Sequence, residues 1–204
     1  MLPSLRSQVF AAVSTGDSDP VVYTSSTETG PLRWKGCAPI RVLVNPGPFG
    51  EQARREIAAA FDEVATLTGL DFVLGTTDEV PTTTWARSSA GVPPVLIAWV
   101  TPSQTDIFTT AAGATVANPS GTGTERGIVT GAIGLNAERR HEFLSAAGPG
   151  QTVRNLLLHE IGHLLGLGHS DHAVLMNPVV GESSPDGFTA VEVEALSALY
   201  DDCR

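Results

Sequence analysis

Of the 12 cationic residues in this 204-residue chain only one, Lys35, is a lysine, and the arginines are scattered in ones and twos. Nucleic-acid binders draw most of their affinity from a basic stripe that contacts phosphates. With 22 Asp+Glu, a formal net charge of -10 and no such stripe, that class is excluded. No apolar run approaches 18 residues, so no segment reads as a membrane span. Nor do the first residues read as a secretory signal, which needs a basic start and an unbroken apolar run of about 7 to 15 residues. Here Ser4, Arg6, Ser7 and Gln8 break the run. Cysteine is scarce: Cys37 and Cys203 are the only two. At the two ends of a domain they read as one disulfide closing its termini. The alternative is a pair of buried free thiols in a reducing compartment. A bond favours an extracellular location, secreted or on a cell-surface ectodomain, with the signal or anchor outside this sequence.

What is present is a globular composition, 42% hydrophobic and 17% charged, at a length that suits one full domain with room for a tail. Residues 1–31, rich in Ser, Thr, Asp and Gly, are expected to form a loosely held arm or propeptide remnant, and 32–204 the domain. Pro39 to Val44 alternates and is β-branched, as a strand is, and stops at Asn45-Pro46-Gly47-Pro48. From Glu51 to Leu67, apolar residues recur at helical spacing (Ala53, Ile57, Ala60, Phe61, Val64), and Thr68-Gly69 ends the helix. Strands are expected at Leu70–Leu74, at the continuous apolar run Val95–Val100, at Gly113–Ala117 and at Ile128–Leu135. In the last of these, Gly131 and Gly134 suggest a bulge or close packing. Helices follow from about Thr152 and from Thr189 to Tyr200. The order implies a mixed α/β domain whose sheet occupies the first two-thirds of the chain.

All five histidines lie after residue 140, and three fall within His159-Glu160-Ile161-Gly162-His163-Leu164-Leu165-Gly166-Leu167-Gly168-His169. At this chain's own residue frequencies, the pattern H-E-x-x-H-x-x-G-x-x-H has a chance of about one in ten million per window. His159 and His163 sit one helical turn apart and can grip one ion. Glu160, offset by one residue, can reach a metal-bound water without being a ligand. His169 would leave that face on a straight helix, so Gly166 must end the helix with a positive φ and swing the chain back. Gly168 is expected to loosen the return. Gly162, inside the helix, costs about 1 kcal/mol against Ala, with close packing as its only evident reason. Three imidazoles with an open fourth position describe a catalytic zinc site, since structural sites close all four positions with protein ligands.

The stretch HEIGHLLGLGHS resembles the metzincin clan of zinc endopeptidases, and among them most of all the matrixins, in which Ser follows the third histidine as Ser170 does. Metzincins carry a Met-turn beneath the zinc, and Leu175-Met176-Asn177-Pro178 matches it, with Met176 as the structural methionine. Segment 32–100 is similar to matrixin-type peptidases of actinobacteria. The resemblance implies an α+β, zincin-like fold: a twisted mixed sheet with a long N-terminal helix, an active-site helix, the Met-turn and a C-terminal helix. It departs from the family in four ways. The His169–Met176 interval is about one residue shorter than in typical matrixins, and Asn177 replaces a common Tyr. No cysteine-switch motif is present, and there is no second histidine and acid set for a structural zinc. Calcium would be compatible with the family, but Asn118–Gly127 is too poor in acids to support it.

The expected function is a secreted endopeptidase holding one catalytic zinc on His159, His163 and His169, with Glu160 as general base to a zinc-activated water. The alternatives are a zinc-containing binding or adhesion module without turnover, and a zinc hydrolase acting on a non-peptide amide. The retained Glu160 speaks against the first of these. A protein or peptide substrate is expected to lie extended along Gly113, Ala114, Thr115 and Val116 as an exposed sheet edge, opposite an apolar wall of Pro178, Val179 and Val180. A monomer is favoured. His141 and His172 read as solvated, and Trp34, Trp85 and Trp99 as packing residues.

Overall fold

The computed structural model describes residues 20–87, 91–144, 152–181 and 183–204. Of the stretch expected as an arm, residues 1–19 fall outside this description. Residues 20–31 open with a short antiparallel pair, β1 (Ser26–Thr27) and β2 (Gly30–Pro31). Val21 and Leu32 are buried, and Tyr23 bridges to Leu167.

The main sheet has five strands in the order β4-β3-β5-β7-β6: β3 (Ile40–Asn45), β4 (Phe72–Thr76), β5 (Val95–Val100), β6 (Gly113–Ser120) and β7 (Gly127–Asn136). The pairs β3/β4, β3/β5 and β5/β7 are parallel, and β6 runs antiparallel to β7. β5 is central and buried at all six positions, which is why its sequence is continuously apolar rather than alternating. Its Val95, Ile97 and Trp99 belong to the main core, while Ala98 and Val100 join Phe108 in a smaller cluster.

Three helices complete the domain: α1 (Gly50–Thr68), α2 (Val153–Leu164) and α3 (Ala190–Leu199). α1 packs against both α2 and α3. It ends where Gly69 takes a left-handed conformation, with its N–H on the Ala65 carbonyl. Leu70 is then buried as a plug, so β4 starts at Phe72, two residues later than the apolar pattern suggested.

β6 likewise runs further than expected, through Pro119 to Ser120. Proline cannot donate to the ladder, and the register shifts between Asn118 and Pro119 to accommodate it. The extra residue of this bulge is Val129 of β7, which has no partner opposite the Asn118–Pro119 step. β7 thus carries a bulge as expected, but beside its glycines and not at them; Gly131 and Gly134 serve close packing. A Cβ on Gly131 would sit 2.5 Å from Leu164, and one on Gly134 would sit 2.8 Å from the Phe108 ring. Cys37 and Cys203 form a disulfide with their Cα atoms 5.3 Å apart, tying the start of β3 to the end of the chain.

Candidate active site

α2 begins at Thr152, whose side chain accepts a hydrogen bond from the Asn155 N–H at 3.1 Å. Leu157, Leu158, Ile161 and Leu164 are fully buried, and that burial fixes the rotation of the helix. The rotation sets His159 and His163 side by side, with ring centroids 4.7 Å apart. The helix stops at Leu164, and Gly166 turns the chain at φ 106°, a conformation that residues with a Cβ rarely adopt. A Cβ there would also run into the Leu32 carbonyl oxygen. Gly168 has an ordinary φ. Its need is space, because a Cβ would lie 3.1 Å from the Tyr23 backbone. The returning chain is zipped onto the N-terminal segment by Thr24 N–H to Gly166 O (2.9 Å) and Gly168 N–H to Val22 O (2.7 Å).

This return brings His169 to the pair. The three Nε2 atoms lie 3.0 to 3.2 Å from one another. Nδ1 of His159 donates to the Leu175 carbonyl at 2.9 Å, and Nδ1 of His163 donates to the Leu167 carbonyl at 2.8 Å. Those bonds place the ring protons on Nδ1 and leave Nε2 lone pairs aimed at a common point. Converging lone pairs repel unless a cation sits between them. Tetrahedral zinc with Zn–N of about 2.0–2.1 Å needs nitrogens roughly 3.3 Å apart, close to the spacing here. Among the described residues no fourth side chain joins the group. The donor set therefore fits a zinc ion with an open position. Burial also favours the neutral, ligating form of each ring: desolvation lowers the His159 pKa to about 4 and lowers His163 and His169 as well.

Met176 is 2% exposed and packs directly under α2. A Cβ on Gly162 would stand 2.6 Å from its Sδ, which supplies the close packing expected of that glycine. Two further residues hold this floor and were not singled out from the sequence. The buried Glu192 carboxylate accepts from Met176 N (2.8 Å) and Leu175 N (3.1 Å), while also closing a capping box with Thr189 at the start of α3. It thereby fixes the turn whose Leu175 carbonyl orients His159. The Thr-x-x-Glu spacing at 189–192 signals the capping box in sequence, but nothing local signals the bonds to residues 175 and 176. The Tyr200 hydroxyl donates to the Leu165 carbonyl at the end of α2 (2.8 Å) and accepts from Trp34 N (2.9 Å).

Glu160 is 3% exposed. Its Oε2 accepts a 2.7 Å hydrogen bond from Thr115 Oγ1 on β6, and Oε1 lies over Gly113, 2.5 Å from where a Cβ would be. Burial raises its pKa to about 7, and the Thr115 bond pulls in the opposite direction. Gly113, Ala114, Thr115 and Val116 are all half-buried, on a strand whose other edge has no strand partner among the described residues. Pro178 and Val179 follow the Met176 turn and are exposed, Val179 at 72%. His141 and His172 are exposed as expected, and Trp34 and Trp99 are buried.

The peptidase M10 family model, matrixin, matches residues 47–201, and the chain belongs to that family of metallopeptidases. Its fold is accordingly that of a metzincin, with the mixed sheet and helices described above. A crystal structure of metalloproteinase-II from Bacteroides fragilis is similar at 14% identity and a TM-score of 0.44, over 83% of this chain and 56% of that one. The present chain thus corresponds to little more than half of that protein's length. No curated protein matches the sequence.

Proposed function

We propose that the protein is a zinc-dependent endopeptidase in which Glu160 is the general base. The observation that carries this reading is the convergence of three Nε2 atoms beside a buried carboxylate that is not one of the ligands. His159, His163 and His169 would hold the ion, which when bound supplies Lewis acidity and makes water nucleophilic near neutral pH. Glu160 then accepts a proton at Oε1, the oxygen not engaged by Thr115, and returns it to the departing amine. An extended peptide would pair through its main chain with β6 along Gly113–Val116, facing a wall built by Pro178 and Val179. Backbone pairing of this kind binds with little sequence preference. The Cys37–Cys203 disulfide supports an oxidising, extracellular setting.

Glu160→Gln tests the mechanism. The variant should keep about one equivalent of zinc by metal analysis and lose at least about a hundredfold in turnover on an unfolded protein mixture, with cleavage read by mass spectrometry. Wild-type turnover in that variant would exclude the base. A metal stoichiometry near zero, with no uptake on titration, would exclude the zinc site.

A further inference from the structure

We infer that Thr115 is a positioning residue for the Glu160 carboxylate and that Gly113 keeps open the space the carboxylate occupies. This inference rests on the reading of Glu160 as general base. The edge strand β6 would then serve catalysis through two of its side-chain positions, separately from any peptide its main chain receives.

A glutamate side chain has several ways to point. Glu160 has three rotatable bonds, and helix packing fixes only its root. A base that must take a proton in one step and return it in the next works only if its carboxylate is held in place. Two features of β6 bear on it here. Thr115 Oγ1 lies 2.7 Å from Oε2 and 3.0 Å from the Glu160 main-chain carbonyl, so one hydroxyl spans the root and the tip of the same side chain. Two residues earlier on the same face of the strand, Gly113 lies under Oε1. Any Cβ there would stand 2.5 Å from that oxygen and 2.9 Å from the carboxyl carbon. Gly113 has no left-handed φ that would require glycine for backbone reasons, so the space it leaves is its evident use.

Threonine is a common strand residue on shape alone, and valine would fill the same volume with the same β-branching. What valine lacks is the hydroxyl. Because Thr115 points its side chain at the helix, its own reach toward a substrate is through the main chain, which valine preserves. The inference therefore separates the rate of the bound complex from substrate affinity.

The test compares Thr115→Val, Thr115→Ser and Gly113→Ala with Glu160→Gln, measuring kcat and KM on one peptide, zinc content, and thermal midpoint. Thr115→Val should lower kcat by about ten- to a hundredfold, the scale of a displaced catalytic group, with KM within about twofold and zinc retained. Thr115→Ser should recover most of that loss. Gly113→Ala should lower kcat by a similar factor with zinc retained, which gives a second reading should the valine variant fold poorly. Unchanged kcat in Thr115→Val, or a serine variant as impaired as the valine one, would overturn the inference. So would a rise in KM that accounts for the whole effect. If Glu160→Gln keeps wild-type turnover, the general-base reading fails and this inference falls with it. If Glu160→Gln is impaired and Thr115→Val is not, only this inference fails.

Discussion

The two edges of the main sheet differ in length and in what packs against them. β6 is an eight-residue edge that leans on α2, with a threonine and a glycine turned toward Glu160. β4, at the other edge, is five residues long, leaves Val73 (52%) and Leu74 (36%) exposed, and has α1 as its helical neighbour. Among the described residues neither has a second strand partner, and each edge could receive an added strand. Only β6 places that backbone beside a buried carboxylate and three converging imidazoles. On the proposed function, an open edge gives a place to bind, and the chemistry comes from the helix packed next to it.

The largest expected effect tests this asymmetry directly. His163→Ala should abolish stoichiometric zinc binding and lower turnover by more than about a hundredfold, because two imidazoles leave the site below its ligand count. Leu74→Lys on the far edge should leave zinc content intact and kcat/KM within about twofold, since that residue is already exposed. A far-edge charge that cut turnover as deeply would mean that the two edges are coupled.

The second effect concerns how each edge is held. Next to β4 the fastening is covalent: Cys37 precedes β3, and the Cys203 backbone lies against Gly69, the cap of α1 just before β4. The disulfide closes a loop of sequence separation 166, which in the chain-entropy model is worth about 5 kcal/mol, reduced by any native strain. Replacing both cysteines by serine should lower the thermal midpoint by roughly 10 °C or more while leaving one zinc bound in the folded protein. Zinc lost in step with the disulfide would show that the bond supports the site itself.

Below the site the fastening is packing. Gly162→Ala pushes a methyl group against Met176 Sδ, a contact of 2.6 Å that must be relieved. Overpacking of this kind costs about 1–3 kcal/mol, which outweighs the roughly 1 kcal/mol that alanine gains over glycine in a helix. Denaturant melts of the zinc-loaded variant should show net destabilisation. A stabilised variant would mean that the methionine has room to move and is not a rigid floor.

These contrasts also mark what the sequence could reveal. The histidine spacing, the Gly166 turn and the buried β5 were legible because each depends on residues within about one element's length of one another. The disulfide was legible because only two cysteines were present to pair. Thr115 could be placed on an edge strand, yet its bond to Glu160 spans 45 residues and has no local signal. The same holds for Glu192 beneath residues 175 and 176 and for Tyr200 bridging Trp34 to Leu165. Such partners are set by which helix lands on which strand, and periodicity does not report that. The ends of β4 and β6 differ from the apolar pattern for a related reason: a buried plug at Leu70 and a bulge at Val129, opposite the Asn118–Pro119 step, are decided by tertiary packing.

The smallest effect lies beside the disulfide, where Arg33 makes a paired contact with Asp202 at 2.6 and 2.8 Å. The Arg33 hydrogen bond holds the Asp202 carboxyl below the ordinary range, against a weaker opposing pull from desolvation. A carboxylate whose pKa is depressed on folding stabilises the protein above its unfolded value of about 3.9, and that contribution is lost as pH falls through the folded value. Wild type should therefore melt above Asp202→Asn from pH 8 down to about 5, with the gap closing below about pH 4. Because the Asp202 side chain is 54% exposed, solvent and salt screen the pair, and the gap should be only about 1–3 °C. Raising the salt concentration should shrink it further. A gap that persisted unchanged to pH 2.5 would assign the effect to packing around the disulfide, and the charge on Asp202 would then have no part in holding the far side of the sheet.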